Sequence, residues 1–567
     1  MPKNDLRIDI LGTSFTISTE EDSEYLDKLL SKYRQTIENV QHKTGLRDSL
    51  KLAVLTGFLL CDDLEKAGTS PEVVETEERG EAERLALGMI SRLDELFIQK
   101  ASHGDTENWY AKHALEDHGE EEKEVLETPS PPCRVPKVRR ENLIANKIYK
   151  LQNTVKNYDW GSAEWIPALL GQRNISRIPW AELWMGVHPT GPSRVVESGE
   201  EGTEPALLLS ELIENDKAAF LGEEIARKYG KLPFLFKVLA AAKPLSIQVH
   251  PSREQAMEGF DRENRDGIPL IAPTRNYRDS NHKPEIICAL GPFTALCGFR
   301  DAKDTSFLLQ ILLQALCKKE EGAELKLKTG FKELVSNLER EDENPYRAFI
   351  EALFCMEKET LLCFDLLLKD RQEQLDSDFP EYGTEWRLCV YLSSLFPGDP
   401  GVLAPLYLNI VELAQGDAMH LPAGVFHAYI YGMGIELMAD SDNVLRGGLT
   451  SKHVDTGELL NVLQFSAYSP EILKVPDETS PCFSYPSQSE EFVLSVIHCH
   501  ESSIAHNETG PSIVLVTEGK AFVSHPYSDF GIPLLKGESA FIPAGLDLIF
   551  AGTFAAYLAA PGHNGQS

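Results

Sequence analysis

Residues 416–427 read Gly-Asp-Ala-Met-His-Leu-Pro-Ala-Gly-Val-Phe-His, and the spacing Gly-x5-Pro-Ala-Gly-x2 returns at residues 537–548. In both copies, glycine and proline form the corner between two strands, and the last residue of the motif follows on the next strand. That last residue is His427 in the first copy and Leu548 in the second. The repeat predicts two related β-domains, of which the second is expected not to bind a metal in this way.

Three further metal-donor residues precede the first copy. Gln248 and His250 lie two residues apart, so on a strand they point to the same face, and Glu285 ends the segment Asn-His-Lys-Pro-Glu. Two imidazoles, one carboxylate and one amide suit Zn²⁺ with a position left open for substrate. A single histidine of this kind is more often a hydrogen-bonded core residue, so the prediction depends on the whole set. Gln248, His250, Glu285 and His427 are predicted to hold one zinc ion per chain.

These segments resemble the type I phosphomannose isomerases. The resemblance begins at Ile148-Tyr-Lys-Leu-Gln-Asn-Thr-Val-Lys-Asn-Tyr-Asp-Trp-Gly161, continues through residues 181–189, 232–239 and 246–251, and includes the C-terminal signature Glu436-Leu-Met-Ala-Asp-Ser-Asp-Asn-Val-Leu-Arg446. It covers residues 147–567. It implies a zinc-dependent aldose–ketose isomerase that interconverts mannose 6-phosphate and fructose 6-phosphate through a cis-enediolate. It also implies a cupin-type β-sandwich interrupted by helices and followed by a second β-domain.

The resemblance implies roles for residues around the metal. Arg446 is expected to stabilise a developing oxyanion by charge-assisted hydrogen bonds, although a solvated arginine is the plainer interpretation. Lys283 is expected to relay a proton or to bind the anionic substrate, and its plainer interpretation is a surface lysine paired with an acid. Further catalytic candidates at family positions are Glu436, Asp442 and His282, with no single residue chosen as the base, and Ser246 and Lys452 are candidates for binding the substrate phosphate.

The first 100 residues form a separate unit. Leu6, Ile8 and Ile10 alternate with charged residues ahead of a turn, and Phe15 and Ile17 alternate after it, which predicts a β-hairpin. Apolar residues at helical spacing predict further helices over 48–67 and 81–100. This order resembles the ZapA family of cell-division proteins, which implies a homo-oligomer through residues 1–100 and binding to FtsZ. The alternative is a dimerisation appendage that makes no FtsZ contact.

The remaining organisation follows from changes in composition. Residues 101–146 combine an acidic run with prolines and are predicted to be a flexible linker. A catalytic cupin domain is expected over 147–300 and 396–480, a helical insertion over 301–395, and a metal-free cupin-like domain over 481–567. The fold class predicted is mainly β with a helical insertion, in cupin or jelly-roll sandwiches, together with a small N-terminal α+β domain with long helices.

Composition limits the partners and the compartment. The 567 residues suggest two to four domains, and the formal charge of −33 argues against nucleic acid or an anionic membrane surface as a partner. The ten cysteines are scattered without a Cys-x-x-Cys pair, which indicates free thiols in a reducing compartment. The N-terminus lacks an apolar signal core, and no apolar run of about 18 residues occurs. A cytoplasmic protein acting on a phosphorylated hexose is expected.

Two rival functions come from other classes. One is a cell-division scaffold whose isomerase half is inert, and the other is a cupin that binds sugar without turnover. The complete donor set and Arg446 oppose the first, and the presence of Lys283 and Arg446 opposes the second.

Overall fold

The structure is a computed structural model that describes residues 4–10, 13–19, 36–37, 147–196, 207–316, 321–340, 344–475, 480–487, 489–507, 509–526 and 531–562. The chain forms two compact units, residues 1–130 and residues 131–567. The helices predicted over 48–67 and 81–100, and the linker predicted over 101–146, lie outside the described residues.

The smaller unit contains the predicted hairpin. Its strands are β1 (Asn4–Ile10) and β2 (Thr13–Thr19). They pair antiparallel, with Asn4 opposite Thr19 and Ile10 opposite Thr13. The alternating pattern of the sequence therefore gives two strands in a single register, as period-two patterning requires.

The larger unit is built mainly of strands. In chain order they are β3 (Tyr149–Gln152), β4 (Thr154–Lys156), β5 (Glu182–Met185), β6 (Arg194–Val195), β7 (Leu207–Leu208), β8 (Phe234–Ala241), β9 (Gln248–Val249), β10 (Glu285–Ala289), β11 (Phe293–Phe299), β12 (Leu408–Leu413), β13 (Ala418–Leu421), β14 (His427–Ala439), β15 (Leu445–Arg446), β16 (Cys482–Ser484), β17 (Val493–Asn507), β18 (Ser512–Ser524), β19 (Gly531–Leu535), β20 (Ser539–Ile542) and β21 (Asp547–Ala560).

The first sheet of this unit holds the sequence-predicted metal donors. Its order is β12-β11-β14-β8-β5-β4, while β10 pairs with both β13 and β14, and β9 joins β14 to β15. The long strand β14 pairs with β8, β9, β10 and β11 along its length. Every residue of β8 is buried, because both faces of this strand are covered. The donors are thus fixed on a closely paired framework.

The second sheet has the order β16-β17-β21-β18-β20-β3-β6-β7, and β19 pairs with β18. Its last three strands come from residues 149–208, so the C-terminal domain expected over 481–567 is not built from those residues alone. The physical reason is the exposed edge of β20, which β3 covers with Ser539 opposite Leu151. Tyr149 and Leu151 then bury their side chains in the core between the sheets.

The two copies of the sequence repeat, one in each sheet, have the same backbone conformation at their glycines. Gly416 and Gly537 both have φ of +84°, and Gly424 and Gly545 have φ of +79° and +75°. Other L-residues rarely adopt this conformation, so glycine is required at the corners. Each pair of corners encloses a short strand, β13 or β20, and leads into a long one, β14 or β21.

Helices occupy the predicted insertion and several short connections. They are α1 (Trp165–Leu169), α2 (Leu209–Asn215), α3 (Lys217–Leu221), α4 (Glu223–Lys228), α5 (Arg253–Arg265), α6 (Ala302–Leu316), α7 (Gly322–Leu338), α8 (Pro345–Phe354), α9 (Lys358–Asp378), α10 (Gly383–Leu395), α11 (Ala404–Tyr407) and α12 (Thr456–Val462), with 3₁₀ turns at Pro380–Tyr382 and Pro400–Leu403. The helical block runs from Ala302 to Tyr407, somewhat beyond the 301–395 expected, because the turn at 400–403 and α11 are also helical.

The helical block packs against the first sheet. Phe349, Phe364 and Trp386 are fully buried in one apolar cluster with Val249 and Leu445, which flank the predicted site. The helical block therefore packs against strands β9 and β15. None of the helices in the described part of the chain is long and apolar enough to cross a membrane. All cysteines of the described residues are free thiols.

Candidate active site and metal centre

Three of the predicted metal donors meet in the first sheet. Glu285 is the first residue of β10, His427 is the first residue of β14, and His250 directly follows β9. One ligand atom of each lies within 4.8 Å of those of the other two, and all three side chains are buried. Within the described residues, this is the single such group of histidine, cysteine and acidic side chains.

Hydrogen bonds to the backbone fix which nitrogen of each imidazole is available. His250 Nδ1 donates to the carbonyl of Asn443 at 2.8 Å, and His427 Nδ1 donates to the carbonyl of Val425 at 3.0 Å. Both Nε2 atoms then carry lone pairs, and they lie 3.3 Å and 3.5 Å from Oε2 of Glu285. Backbone carbonyls orient metal-binding histidines in this way in many proteins.

In this arrangement neither histidine has a proton on Nε2 that it could donate to the carboxylate of Glu285. His250 Nε2 is buried without a hydrogen-bond partner. Burial and the nearby Lys283 lower the pKa of His250 to about 4, so this imidazole is neutral near pH 7. Two imidazole lone pairs and a carboxylate oxygen that face one another are repulsive unless a cation lies between them. The residues therefore fit a divalent metal ion.

The predicted fourth donor, Gln248, lies on β9 between two other site residues. Its backbone is opposite His427 on β14 and opposite Arg446 on β15. The strand itself ends at Val249, so His250 follows the strand rather than continuing it. The strand pairing nevertheless places Gln248 next to the predicted metal donor His427.

Lys283 forms an ion pair with the ligand carboxylate. Its Nζ is 2.8 Å from Oε1 of Glu285, which leaves Oε2 toward the two histidines. Burial alone would raise the pKa of Glu285, but Lys283 and His250 hold it well below its ordinary range. Lys283 precedes β10 and reaches Glu285 from the connecting segment.

A second buried ion pair lies on the neighbouring strands. Lys237 on β8 is opposite Glu436 on β14, and its Nζ is 2.8 Å from Oε2 of Glu436 and 3.7 Å from Oε1 of Glu182. Trp184 Nε1 donates to Oε2 of Glu182 at 2.9 Å. Burial alone would lower the pKa of Lys237, but the two carboxylates raise it above its ordinary value. Glu436 was predicted from sequence, whereas Lys237 and Glu182 were not.

Positive charge collects around Arg446. Burial and Arg278 lower the pKa of Arg446, and burial, Arg446 and Arg278 lower the pKa of Lys452. Within the described residues, no ion pair involves the side chains of Arg278, Arg446 or Lys452, which we call the basic cluster. Cations that repel one another and form no close ion pair favour an anionic ligand.

The segment of residues 446–452, which carries Arg446 and Lys452 of the basic cluster, forms a loop that is fixed from two sides. Asp399 accepts hydrogen bonds from the backbone amides of Leu449 at 2.8 Å and Thr450 at 3.3 Å. Ile247 exchanges backbone hydrogen bonds with Gly447 and Gly448. The candidate Ser246, which is half-buried, precedes Ile247 and thus lies beside this loop.

The two remaining candidates, His282 and Asp442, have partners from distant parts of the chain. His282 Nε2 is 2.9 Å from Oε1 of the buried Glu491, which also receives Arg253 Nη2 at 2.5 Å. Burial alone would raise the pKa of Glu491, but His282, Ser489 and Arg253 lower it to about 2. Asp442 Oδ2 is 3.3 Å from His188 Nε2. Glu491 precedes β17 of the second sheet, so both sheets contribute to this region.

The second β-domain has no equivalent donor at its repeat corner. Leu548 occupies the position of His427 and is 1% exposed, among apolar neighbours that include Phe550. His498 and His500 are exposed on β17, while Cys499 between them is buried. Strand alternation thus places Cys499 on the face opposite to the two histidines.

Comparison with known proteins agrees with this geometry. Residues 148–302 match the family model of the phosphomannose isomerase type I catalytic domain, and residues 6–97 match that of the cell division protein ZapA. The mannose-6-phosphate isomerase of Escherichia coli (strain K12) is 37% identical over 398 residues, which are 70% of this chain and 95% of that protein. The chain belongs to the type I phosphomannose isomerase family.

Other members of the phosphomannose isomerase family match over the same length. The mannose-6-phosphate isomerase of Homo sapiens is 31% identical over 420 residues, 71% of this chain and 95% of that protein. A crystal structure of mannose 6-phosphate isomerase from Salmonella typhimurium, bound to fructose 6-phosphate and zinc, is 35% identical with a TM-score of 0.64, and the match covers 73% of this chain and 100% of that one. A zinc-bound holo structure of mannose 6-phosphate isomerase has a TM-score of 0.65 at 34% identity, with coverage of 73% and 100%. The expected cupin fold class is therefore confirmed.

Several residues around this site carried no role in the sequence analysis, among them Glu182 beside Lys237. Arg278, Glu491 and His188 reach the site from loops, and only their contacts in three dimensions show it. Lys237 had a usable signal, since it is a lone lysine within the apolar run Leu235-Phe-Lys-Val-Leu239. A charged residue inside a buried strand needs a partner, which here is Glu436.

Proposed function

We propose that the larger unit is a zinc-dependent aldose–ketose isomerase that interconverts mannose 6-phosphate and fructose 6-phosphate. The observation that carries the proposal is the buried group of His250, Glu285 and His427, with both Nε2 lone pairs directed at one carboxylate oxygen. Gln248 completes the ligand set from the adjacent strand. Zinc held there supplies a Lewis acid that polarises the sugar carbonyl and its neighbouring hydroxyl.

The side chains around the metal ligands have separate roles in the proposed reaction. Arg446 lies opposite Gln248 on the next strand and donates to the oxygen that gains charge as a cis-enediolate forms. Lys283 neutralises Glu285 and lies close enough to the ligands to relay a proton. The Lys237–Glu436 pair, Asp442 and His282 are the other groups that hold or move the proton between C1 and C2.

The basic cluster supports a phosphorylated substrate rather than a free sugar. Arg278, Arg446 and Lys452 concentrate positive charge on a chain whose formal charge is −33. A phosphate group can form the close ion pairs that these side chains do not make within the described residues. Ser246 lies beside the same loop and can donate its hydroxyl to a phosphate oxygen.

The test is an isomerase assay on the purified full chain. Mannose 6-phosphate should be converted to fructose 6-phosphate, a chelator should abolish the conversion, and Zn²⁺ should restore it. Unphosphorylated mannose serves as the matched control and should be a much poorer substrate. Full activity in a metal-free preparation would contradict the proposal.

We also propose that residues 1–100 form a ZapA-like unit that joins copies of this chain and binds FtsZ. The family match at residues 6–97 and the antiparallel hairpin support it. Amphipathic helices with one apolar stripe, as predicted for this segment, need a partner to cover the stripe.

The association is tested by comparing the full chain with residues 147–567. We expect the full chain to be a dimer or larger, and the truncated chain to contain fewer copies while it keeps its isomerase activity, since the predicted metal donors and the basic cluster lie within it. Light scattering after size-exclusion chromatography gives the mass of each. Equal numbers of chains in the two preparations would refute the role of residues 1–100 in association.

FtsZ binding is tested separately by co-sedimentation. Residues 1–110 should pellet with polymerised FtsZ from the same organism and should bundle its filaments, because a dimer presents two binding surfaces. Residues 147–567 serve as the control and should stay in the supernatant. If residues 1–110 also stay in the supernatant, only the association function stands.

A further inference from the structure

His188 lies in the loop between β5 and β6, next to the site but without a role in it so far. Two hydrogen bonds join the two ends of this loop, one from Gly186 N to Ser193 Oγ at 3.0 Å and one from Ser193 N to Gly186 O at 2.9 Å. The imidazole is buried, and its ring meets the Trp184 ring edge-on at a centroid distance of 4.8 Å. The ring is therefore held in one position.

The hydrogen bonds of His188 determine its tautomer. The backbone N–H of Thr190 donates to Nδ1 at 3.3 Å, which requires a lone pair on Nδ1, and the Thr190 hydroxyl, 3.1 Å from the same atom, is then a second donor to it. The proton of the neutral ring is then on Nε2. Nε2 is 3.3 Å from Oδ2 of Asp442, so His188 donates to this carboxylate.

Asp442 lies close to the predicted metal centre, because the residue that follows it contacts one of the metal donors. Its backbone N–H donates to Oδ2 of Asp279 at 2.8 Å, and the carbonyl of the next residue, Asn443, receives Nδ1–H of the ligand His250. The side chain is 45% exposed, so a substrate can reach it. Its Oδ1 has no hydrogen-bond partner among the described residues, whereas Oδ2 faces His188.

We propose that His188 is a positioning residue, whose Nε2–H holds Oδ2 of Asp442 so that Oδ1 is presented to the substrate. The inference rests on the proposed function, because it concerns the isomerase reaction. A half-exposed carboxylate has several rotamers, and the nearby cations Lys283 and Arg278 attract it. A fixed donor on Oδ2 keeps the carboxylate from turning toward Lys283, whose ammonium is paired with Glu285.

The first test compares three substitutions in the zinc-loaded full chain. His188→Ala should lower kcat/KM by roughly 10- to 100-fold, the scale on which orienting partners act, with unchanged zinc content. His188→Gln should recover most of the loss, because its amide N–H reaches the position of Nε2. His188→Asn is the matched control, since its amide reaches only the position of Nδ1. Equal activity of the glutamine and asparagine variants would overturn the proposal.

A double-mutant cycle separates positioning from simple loss of packing. His188→Ala should lower activity in the wild-type chain and have little further effect in an Asp442→Asn chain, because the two residues act as one unit. An equal loss in both backgrounds would show that His188 does not act through Asp442, and it would overturn the proposal even if both variants fold.

The pH profile gives a second readout. Asp442 is faced by His188, Lys283, Arg278, Lys156, Tyr158 and Asp279. The bond from His188, the larger cause, and the two nearby cations lower the pKa of Asp442, so its removal raises that pKa, and the acid limb of kcat/KM should move to higher pH in His188→Ala. An acid limb that does not move would count against the proposal.

The tautomer can be measured without turnover. Nitrogen NMR of a chain labelled at histidine, with His188→Gln used to assign the signal, should show a neutral ring protonated at Nε2. A ring protonated at Nδ1 would overturn the inference about His188. Because this result does not depend on activity, it remains decisive even if the assay contradicts the proposed isomerase function.

Discussion

His427→Ala should remove the bound metal and abolish isomerisation while the chain stays folded. His427 supplies one of two imidazole lone pairs in a group that also contains a single ligand carboxylate. Its loss leaves the cation with one imidazole, one carboxylate and one amide, too few protein ligands for a tight site. Metal analysis after dialysis, an activity assay and a thermal unfolding curve measure the three parts of the expectation.

His498→Ala is the matched control, since His498 is an exposed histidine on a strand of the second sheet. It should keep both metal and activity. A His427→Ala chain that retains one zinc per chain and normal turnover would show that the catalytic metal is not held here. An unfolded variant would be recognised by its thermal curve, and His427→Gln, which keeps a neutral donor, would then replace it.

Arg446→Ala should lower kcat by roughly 10²-fold or more, the scale of losing one oxyanion donor, with metal content unchanged. Burial and the neighbouring Arg278 lower the pKa of Arg446, which makes an anionic group beside it favourable, and β15 sets Arg446 directly opposite Gln248. Arg446→Lys should rescue poorly, because lysine lacks the planar fork of two parallel donors.

Lys452→Ala is the control for Arg446. It is an exposed member of the basic cluster, so its loss should raise KM for the phosphorylated substrate and leave kcat nearly unchanged. Steady-state kinetics on the three variants separate these effects. An Arg446→Ala enzyme with near-normal kcat would remove this arginine from the chemical step.

Much of the architecture was predictable, because the conformation of turns and the alternation of strands depend on residues that are close together in the sequence. The positive φ of Gly416 and Gly537 follows from a corner that only glycine tolerates easily, and the hairpin follows from strict alternation. The metal donors were predictable for another reason, since the residue types and spacing carry the chemistry directly. His250, Glu285 and His427 are brought together as expected.

The remainder depends on contacts between residues that are far apart in sequence. Glu491 lies 209 positions from His282, and nothing in the local pattern of either segment links them. The same is true of β3, whose residues are predicted to belong to the catalytic cupin domain but pair with β20 of the second sheet. An edge strand accepts any suitably apolar partner, so topology and not composition decides the pairing.

Strand β14 carries His427 at its first residue and Glu436 nine residues later, and it is hydrogen-bonded to a neighbour over nearly all of that length. Backbone amides in such a strand exchange with solvent only when the sheet as a whole opens. In deuterium-exchange experiments, β14 should therefore be among the slowest segments with or without metal, whereas the amides of residues 446–450, held largely by one carboxylate and a short strand, should exchange sooner. The predicted metal donor His427 and the candidate Glu436 thus share one rigid support, whereas the loop of residues 446–450 is the part of the proposed site with the fewest backbone constraints.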